Sequence, residues 1–239
     1  MGISSAELTS RQDELRAKII ARNTDAVCDG VLDVETYCSL KRKIMWVQKE
    51  APVFGGGILY EDVWNGDAGV LRGYNSTLRW KTEVSRYLLE DELKQRPLPA
   101  NDKFIREISK YPEDKQLSAR ILCCIANINV GKNPAPKSTS DTRLQEIYYE
   151  WEDITHKQLE LYTPDIIFFS GTFKLFSFCD LQELWSCRIV GKNDFHIYYA
   201  TIGNRRTIAV DCYHTGAAGR GIGTYWNALG MAAYACVNL

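Results

Sequence analysis

IMWVQKEAPVFGGG, residues 44–57, decides how this chain is read. Ile44, Met45, Trp46 and Val47 run without a polar interruption, the pattern of a strand buried on both faces. The run stops at Gln48, Lys49 and Glu50, then Pro52, and Gly55, Gly56 and Gly57 follow. A core strand that ends on a carboxylate and passes into a loop with few side chains fits backbone that must approach a ligand closely.

Working outward, further apolar strands are expected at 119–129 (ARILCCIANIN), 165–171 (DIIFFSG), 195–200 (FHIYYA) and 206–214 (RTIAVDCYH). Helical spacing is expected at 5–24, capped by Ser5, and at 77–94, with Leu78, Val84, Leu88 and Leu89 inward. Residues 102–111 form another candidate helix. Ser140 or Asp141 starts a long helix ended by Pro164, TFKLFSFCDLQELW (172–185) begins the next, and 223–239 form the last. Buried strands alternating with helices imply an α/β fold: a three-layer α/β/α sandwich around a central, mainly parallel, four-stranded sheet. One domain is expected over 1–239, with 1–40 as an N-terminal helical extension.

Composition sets broad limits. The 239 residues carry 29 basic and 30 acidic side chains, a net charge of -1, so any nucleic-acid footprint has to be local. No run of about 18 apolar residues is present, and the mixed-charge N-terminus is unlike a secretory signal, so no membrane association is expected. Eight cysteines sit mostly in apolar stretches without a C-x-x-C pair, and the three histidines are scattered. Reduced core thiols in a cytoplasmic protein are expected, with no metal site and no cofactor.

In a parallel sheet the working surface lies beyond the carboxyl ends of the strands. Four segments end there: 48–52, 127–136, 170–173 and 211–221. They bring Gln48, Glu50, Asn127, Asn129, Lys132, Gly171, Asp211, His214, Thr215 and Arg220 to one edge.

In order and spacing these segments resemble the uracil-DNA glycosylase superfamily, especially its family four. Glu50-Ala51-Pro52 and then Gly66-Asp67-Ala68-Gly69-Val70-Leu71 stand for the family's GEAPG and G-x-A-G-x-L stretches. Asn129-Val130-Gly131-Lys132 before Pro134 and Pro136 matches N-x-x-K before prolines, and Pro164-Asp165-Ile166-Ile167 to Gly171 matches the third strand. His214-Thr215-Gly216 occupies the place of the last motif, HP-S. The resemblance spans roughly residues 43–235. It departs at Val53, where the family has glycine, and at Thr215, where it has proline. The family-four iron–sulfur cysteines are missing, because no cysteine lies between residues 130 and 170.

The resemblance implies a glycosylase-like fold and a monofunctional enzyme that flips a pyrimidine out of DNA and hydrolyses its N-glycosidic bond, leaving an abasic site. It acts without a cofactor, as a monomer. That chemistry builds positive charge on the sugar and negative charge on the departing base. Glu50 is the candidate carboxylate beside the sugar, and His214, neutral, the candidate donor to the base. Asn127 or Asn129 reads the base edge, and spacing does not choose between them. Phe54 is a candidate stacking ring. Gln48, Pro52, Gly55, Gly56, Gly171 and Thr215 line the site, and Asp211 either orients His214 or contacts water. Lys132 and Arg220 are candidate phosphate contacts. The long glycine-bearing loop leaves room for a base larger than uracil, so the expected target is a 5-substituted or glucosylated cytosine of phage DNA. The alternatives are a uracil-DNA glycosylase of base-excision repair, an inactive DNA-binding member of the same fold, and a hydrolase of free nucleosides. A thiol nucleophile at Cys212 is a remote fourth reading.

Overall fold

In the computed structural model, which describes residues 3–50, 77–93, 115–134, 139–188, 193–202, 204–215 and 222–237, the opening run forms β1, Ile44–Glu50. Its parallel neighbours are β2, Ala126–Gly131, and β3, Ile166–Ser170. β4, Cys179–Arg188, pairs antiparallel with β5, Asn193–Ile202. β6, Arg205–Cys212, runs antiparallel to β5 and parallel to β3. The order is β2-β1-β3-β6-β5-β4. The expected four-stranded sheet is thus a six-stranded mixed one, in which four parallel strands are extended by an antiparallel pair.

Six described helices cover the sheet: α1 (Ser5–Arg22), α2 (Val34–Ser39), α3 (Thr77–Leu93), α4 (Lys115–Cys123), α5 (Asp141–Tyr162) and α6 (Ile222–Val237). Alternation along the strands divides the core into two layers. Ile44, Trp46, Phe168, Val210 and Ile197 pack under α3, α4 and α6. Met45, Val47, Ile128, Phe169 and Ala209 pack under α1, α2 and α5. No described helix is long and apolar enough to cross a membrane.

Two expected elements change type. Residues 119–123 belong to α4, and the strand starts only at Ala126. Every side chain from Ile121 to Lys132 is buried, so no periodicity separates the helix from the strand it precedes. The helix expected from 172 is a short 3-10 turn at Phe173–Leu175 followed by β4. Leu181, Leu184 and Trp185 fall at i, i+3 and i+4, a helical spacing. In β4 Leu181 and Trp185 are exposed while Leu184 packs against the core, and register shifts interrupt the pairing with β5. Ser140, not Ser5 or Asp141, is a side-chain cap: its hydroxyl accepts from Arg143 N at 3.3 Å, and Ser4 does the same for α1.

The described part of the N-terminal segment, residues 3–40, packs against the core. Leu8, Leu15 and Ile19 of α1 are buried with α5, and the segment after α1 runs along the outer edge of β2. Gly30 N donates to Asn127 O at 2.8 Å and Asn127 N to Gly30 O at 3.0 Å. The segment covers backbone groups that an open edge would expose. Gly30 sits at φ +129°, and a Cβ there would lie 2.1 Å from Tyr162 Oη, so only glycine fits.

A polar cluster is sealed under this seam. Lys132, expected to reach a phosphate, is fully buried instead. Its Nζ bonds Asp29 Oδ2 at 2.8 Å, Asp29 Oδ1 at 3.0 Å, Asn129 O at 2.6 Å and Gln158 Oε1 at 2.7 Å. Burial pulls the Lys132 ammonium below its usual range, and the Asp29 carboxylate opposes that. Lys132→Ala strands a buried carboxylate and is expected to lower the unfolding free energy by about 3–5 kcal/mol. Replacing both charges, as Asp29→Asn with Lys132→Met, recovers most of the loss. Urea unfolding of the three proteins measures both effects.

Candidate functional site

Parallel strands deliver their last residues to a common edge, and the register orders them. Asn129 of β2 pairs with Gln48 of β1, Val47 pairs with Phe169, which brings Ser170 of β3 beside Gln48, and Ser170 pairs with Cys212 of β6. These residues share the face that carries Trp46 and Phe168 one layer below, stacked with centroids 4.4 Å apart. A polar row therefore rests on an aromatic floor, on the side covered by α3 and α6. Glu50 ends β1, paired with Gly131, where a Cβ would lie 2.4 Å from Ile147 Cγ2 of α5 and 3.4 Å from Glu50 Cγ.

The segment after β6 is stitched back over this row. Gln48 Nε2 donates to Thr215 Oγ1 at 3.0 Å, and Thr215 N donates to Ser170 Oγ at 3.0 Å. Ser170 Oγ in turn donates to Tyr213 O at 3.2 Å, and Tyr213 N donates to Tyr225 Oη of α6 at 2.9 Å. His214 is thus held between two anchored neighbours. Gly171, at φ +70°, brings two side chains together: a Cβ there would lie 3.2 Å from Lys49 Cε and 3.5 Å from His214 Cβ. The tips of β1 and β6 meet across the end of β3, with Lys49, His214, Gln48 and Thr215 at the junction.

Charge at this junction is unusual. Burial, with the Lys49 and Lys81 ammonium groups nearby, lowers the His214 imidazole to about 4, so it is neutral at neutral pH. Lys81, on the inner face of α3, is fully buried, and burial lowers its ammonium to about 7. It donates to Asn127 Oδ1 at 2.9 Å. Glu50 Oε1 is buried with no hydrogen-bond partner among the described residues. A buried oxygen of that kind costs stability, and Glu92 Oε1 is another.

The candidate residues separate into groups. Gln48, Gly171, His214 and Thr215 come together at the β1–β3–β6 tips, Asn129 pairs with Gln48, and Glu50 lies one step further along β1 against Gly131 of β2. Asn127 sits one layer deeper, paired with Trp46 and held by Lys81. Asp211 faces elsewhere: it pairs with His196 on β5, and its charged neighbours are His196 and Lys174, not His214. Burial raises its carboxyl above the usual range. Cys212 is buried and its thiol is held well above its usual range, which removes it as a nucleophile. Pro52, Phe54, Gly55, Gly56 and Arg220 lie outside the described residues.

Lys81, Lys49, Ser170 and Asp29 were not among the sequence candidates. Lys81 carried a signal: it falls on the inner stripe of α3 with Leu78, Thr82, Ser85 and Leu89, where a lysine is out of place. A cavity of about 440 Å³ opens at the opposite end of the sheet, among Leu159, Glu160, Ile167, Ile202 and Arg205. Its arginine is taken by Asp165 and Thr163 O, and none of the candidate residues borders it.

No protein-family model matches the chain, and no curated protein matches it. The local chemistry therefore has to carry the argument.

His214 gives a sign-definite test. Its folded value of about 4 lies below the unfolded 6.5, so the unfolded chain binds the proton more readily. The contribution to stability is complete above about 6.5 and is lost as pH falls towards 4. NMR titration of the imidazole is expected to show a midpoint near 4, and His214→Asn to flatten the stability–pH curve in that window.

Proposed function

We propose that the chain is a DNA glycosylase of the uracil-DNA glycosylase superfamily, which flips a pyrimidine into the cleft at the β1–β3–β6 tips and excises it with water. The observation that carries the reading is the buried, partnerless Glu50 Oε1 on a strand tip tied, through Gln48 and Thr215, to a neutral histidine. The quoted motifs around Glu50, Asn129 and His214 add to it.

Each group has a task in that reaction. As the N-glycosidic bond stretches, the sugar gains oxocarbenium character, and the Glu50 carboxylate steadies it and orients the attacking water. The electron pair of the breaking bond leaves with the base. A neutral imidazole offers one N–H to the charge that develops there, and a site shielded from water strengthens that bond. His214 suits this role because it is neutral without first losing a proton. Asn129 and Gln48 face the base edge, and the Trp46–Phe168 stack closes the pocket beneath them. With Lys132 buried, phosphate contact falls to Lys49 and, outside the described residues, Arg220. The product is an abasic site, and the target is a base larger than uracil, a 5-substituted or glucosylated cytosine.

Glu50→Gln keeps the shape and removes the charge. Abasic-site formation is expected to fall by about 10²–10⁴-fold while the melting temperature holds or rises. The assay uses DNAs carrying uracil, 5-hydroxymethylcytosine or glucosylated hydroxymethylcytosine, and release is expected from the last two. Robust release of uracil alone would reject the larger base. A Glu50→Gln protein as active as the wild type would reject the mechanism.

A further inference from the structure

Asn129 stands in the polar row beside Gln48, and one end of its carboxamide is already engaged. Its Nδ2 lies 3.4 Å from Asp29 Oδ2, and its backbone N–H donates to the same oxygen at 2.6 Å. Asp29 is 1% exposed. Lys132 Nζ, at 2.8 and 3.0 Å, and Gln158 Nε2, at 2.7 Å, complete its shell. A carboxylate paired with an ammonium accepts hydrogen bonds and donates none. The amide beside it therefore turns its NH2 inward, since the reverse orientation sets oxygen against oxygen in a dry interior. With Nδ2 inward, Oδ1 faces away from Asp29, and no described residue donates to it. Asn127 is the opposite case: its Oδ1 is taken by Lys81 a layer deeper.

We propose that Asp29 is a positioning residue for base recognition: it fixes the Asn129 carboxamide so that Oδ1 faces the cleft, and the site takes a base through one of the base's own N–H groups. This rests on the reading of the cleft as a base pocket. The matching groups are the exocyclic amino group of a cytosine-type ring and the N3–H of a uracil-type ring. A ring fully alkylated at that nitrogen offers no proton, leaves Oδ1 desolvated and unpaired, and is refused. The segment between α1 and α2 is then part of the recognition apparatus, because Asp29 reaches Asn129 across the β2 edge that the segment covers.

Two readouts on the full chain test this, with Asp29→Ala/Lys132→Met as the variant that removes the acceptor without stranding a charge. The first is hydrogen exchange of the Asn129 side-chain NH2 by NMR, which needs no activity. Exchange is expected to be slow in the wild type and at least about tenfold faster in the variant, the loss of one buried hydrogen bond. The second is excision from oligonucleotides carrying 5-hydroxymethyldeoxycytidine or its glucosylated form, each against the same base dimethylated at N4. The wild type is expected to prefer the unmethylated base by about a hundredfold or more, and the variant to lose most of that ratio. A purely structural role for Asp29 lowers both rates together and leaves the ratio unmoved, which overturns the proposal. Fast exchange of the Asn129 NH2 in the wild type overturns it as well, whatever the activity. If the wild type cuts none of these DNAs while that NH2 is protected, the glycosylase reading falls and the positioning by Asp29 stands.

Discussion

The Asp29–Lys132 ion pair, sealed from water at the tip of β2, is the interaction that the rest of the site depends on. Each charge costs several kcal/mol to bury, and only the closeness of the two and the hydrogen bonds around them recover that cost. Those bonds tie three separate parts of the chain together. Asp29 comes from the segment after α1, Lys132 and Asn129 from the end of β2, and Gln158 from α5. The cluster fixes where β2 ends and how its last side chains are aimed. The same pair withdraws a lysine from the surface, and Lys81 is buried as well, so the charge balance of the sequence overstates the cations that can meet a phosphate.

The β6 side of this edge is governed by dehydration rather than pairing. His214 is kept neutral by burial first and by the Lys49 and Lys81 charges second. Lys81 is lowered by burial, a few residues along α3 from the serine that receives the Trp46 indole N–H. An imidazole held neutral by burial, a lysine near its midpoint at neutral pH and a carboxylate oxygen with no partner among the described residues are each costly to fold. They lie on or behind one strand edge, and a fold assembled for stability alone has no reason to collect them there.

Much of the architecture was legible because it rests on local signals. Val47 and its neighbours in β1, and Ile166 to Phe169 in β3, are apolar on both faces, and a doubly covered parallel strand requires that. Ser140 before α5 and Pro164 after it punctuate a helix whose inner face repeats every three to four residues. Signals failed where burial is total or alternation is broken. From Ile121 to Ile125 every side chain is inside, so the turn from α4 into β2 leaves no mark in hydropathy. In β4 the helical spacing of Leu181, Leu184 and Trp185 misleads, because Leu181 and Trp185 are exposed on an edge strand. The site was legible as a set of strand ends, but not in its partnerships. Lys132 looks like a loop cation until Asp29, about a hundred residues earlier, is folded against it. Asp211 looks like a partner for His214 until the strand's alternation turns it towards His196.

That alternation also explains why core and site cannot vary independently. In β1 the residues on the α3 side are Ile44, Trp46 and Gln48, with core at one end and the polar row at the other. Trp46 is locked by its stack on Phe168 and its hydrogen bond to Ser85, and this fixes the rotation of the whole strand. A slip of one residue would present Lys49 in place of Gln48, and would carry Trp46 to the face packed by α5. Burial of one large aromatic ring thus enforces the placement of a carboxylate four residues on. The carboxylate needs no stabilising contact of its own to stay in position, and this allows Glu50 Oε1 to remain without a partner.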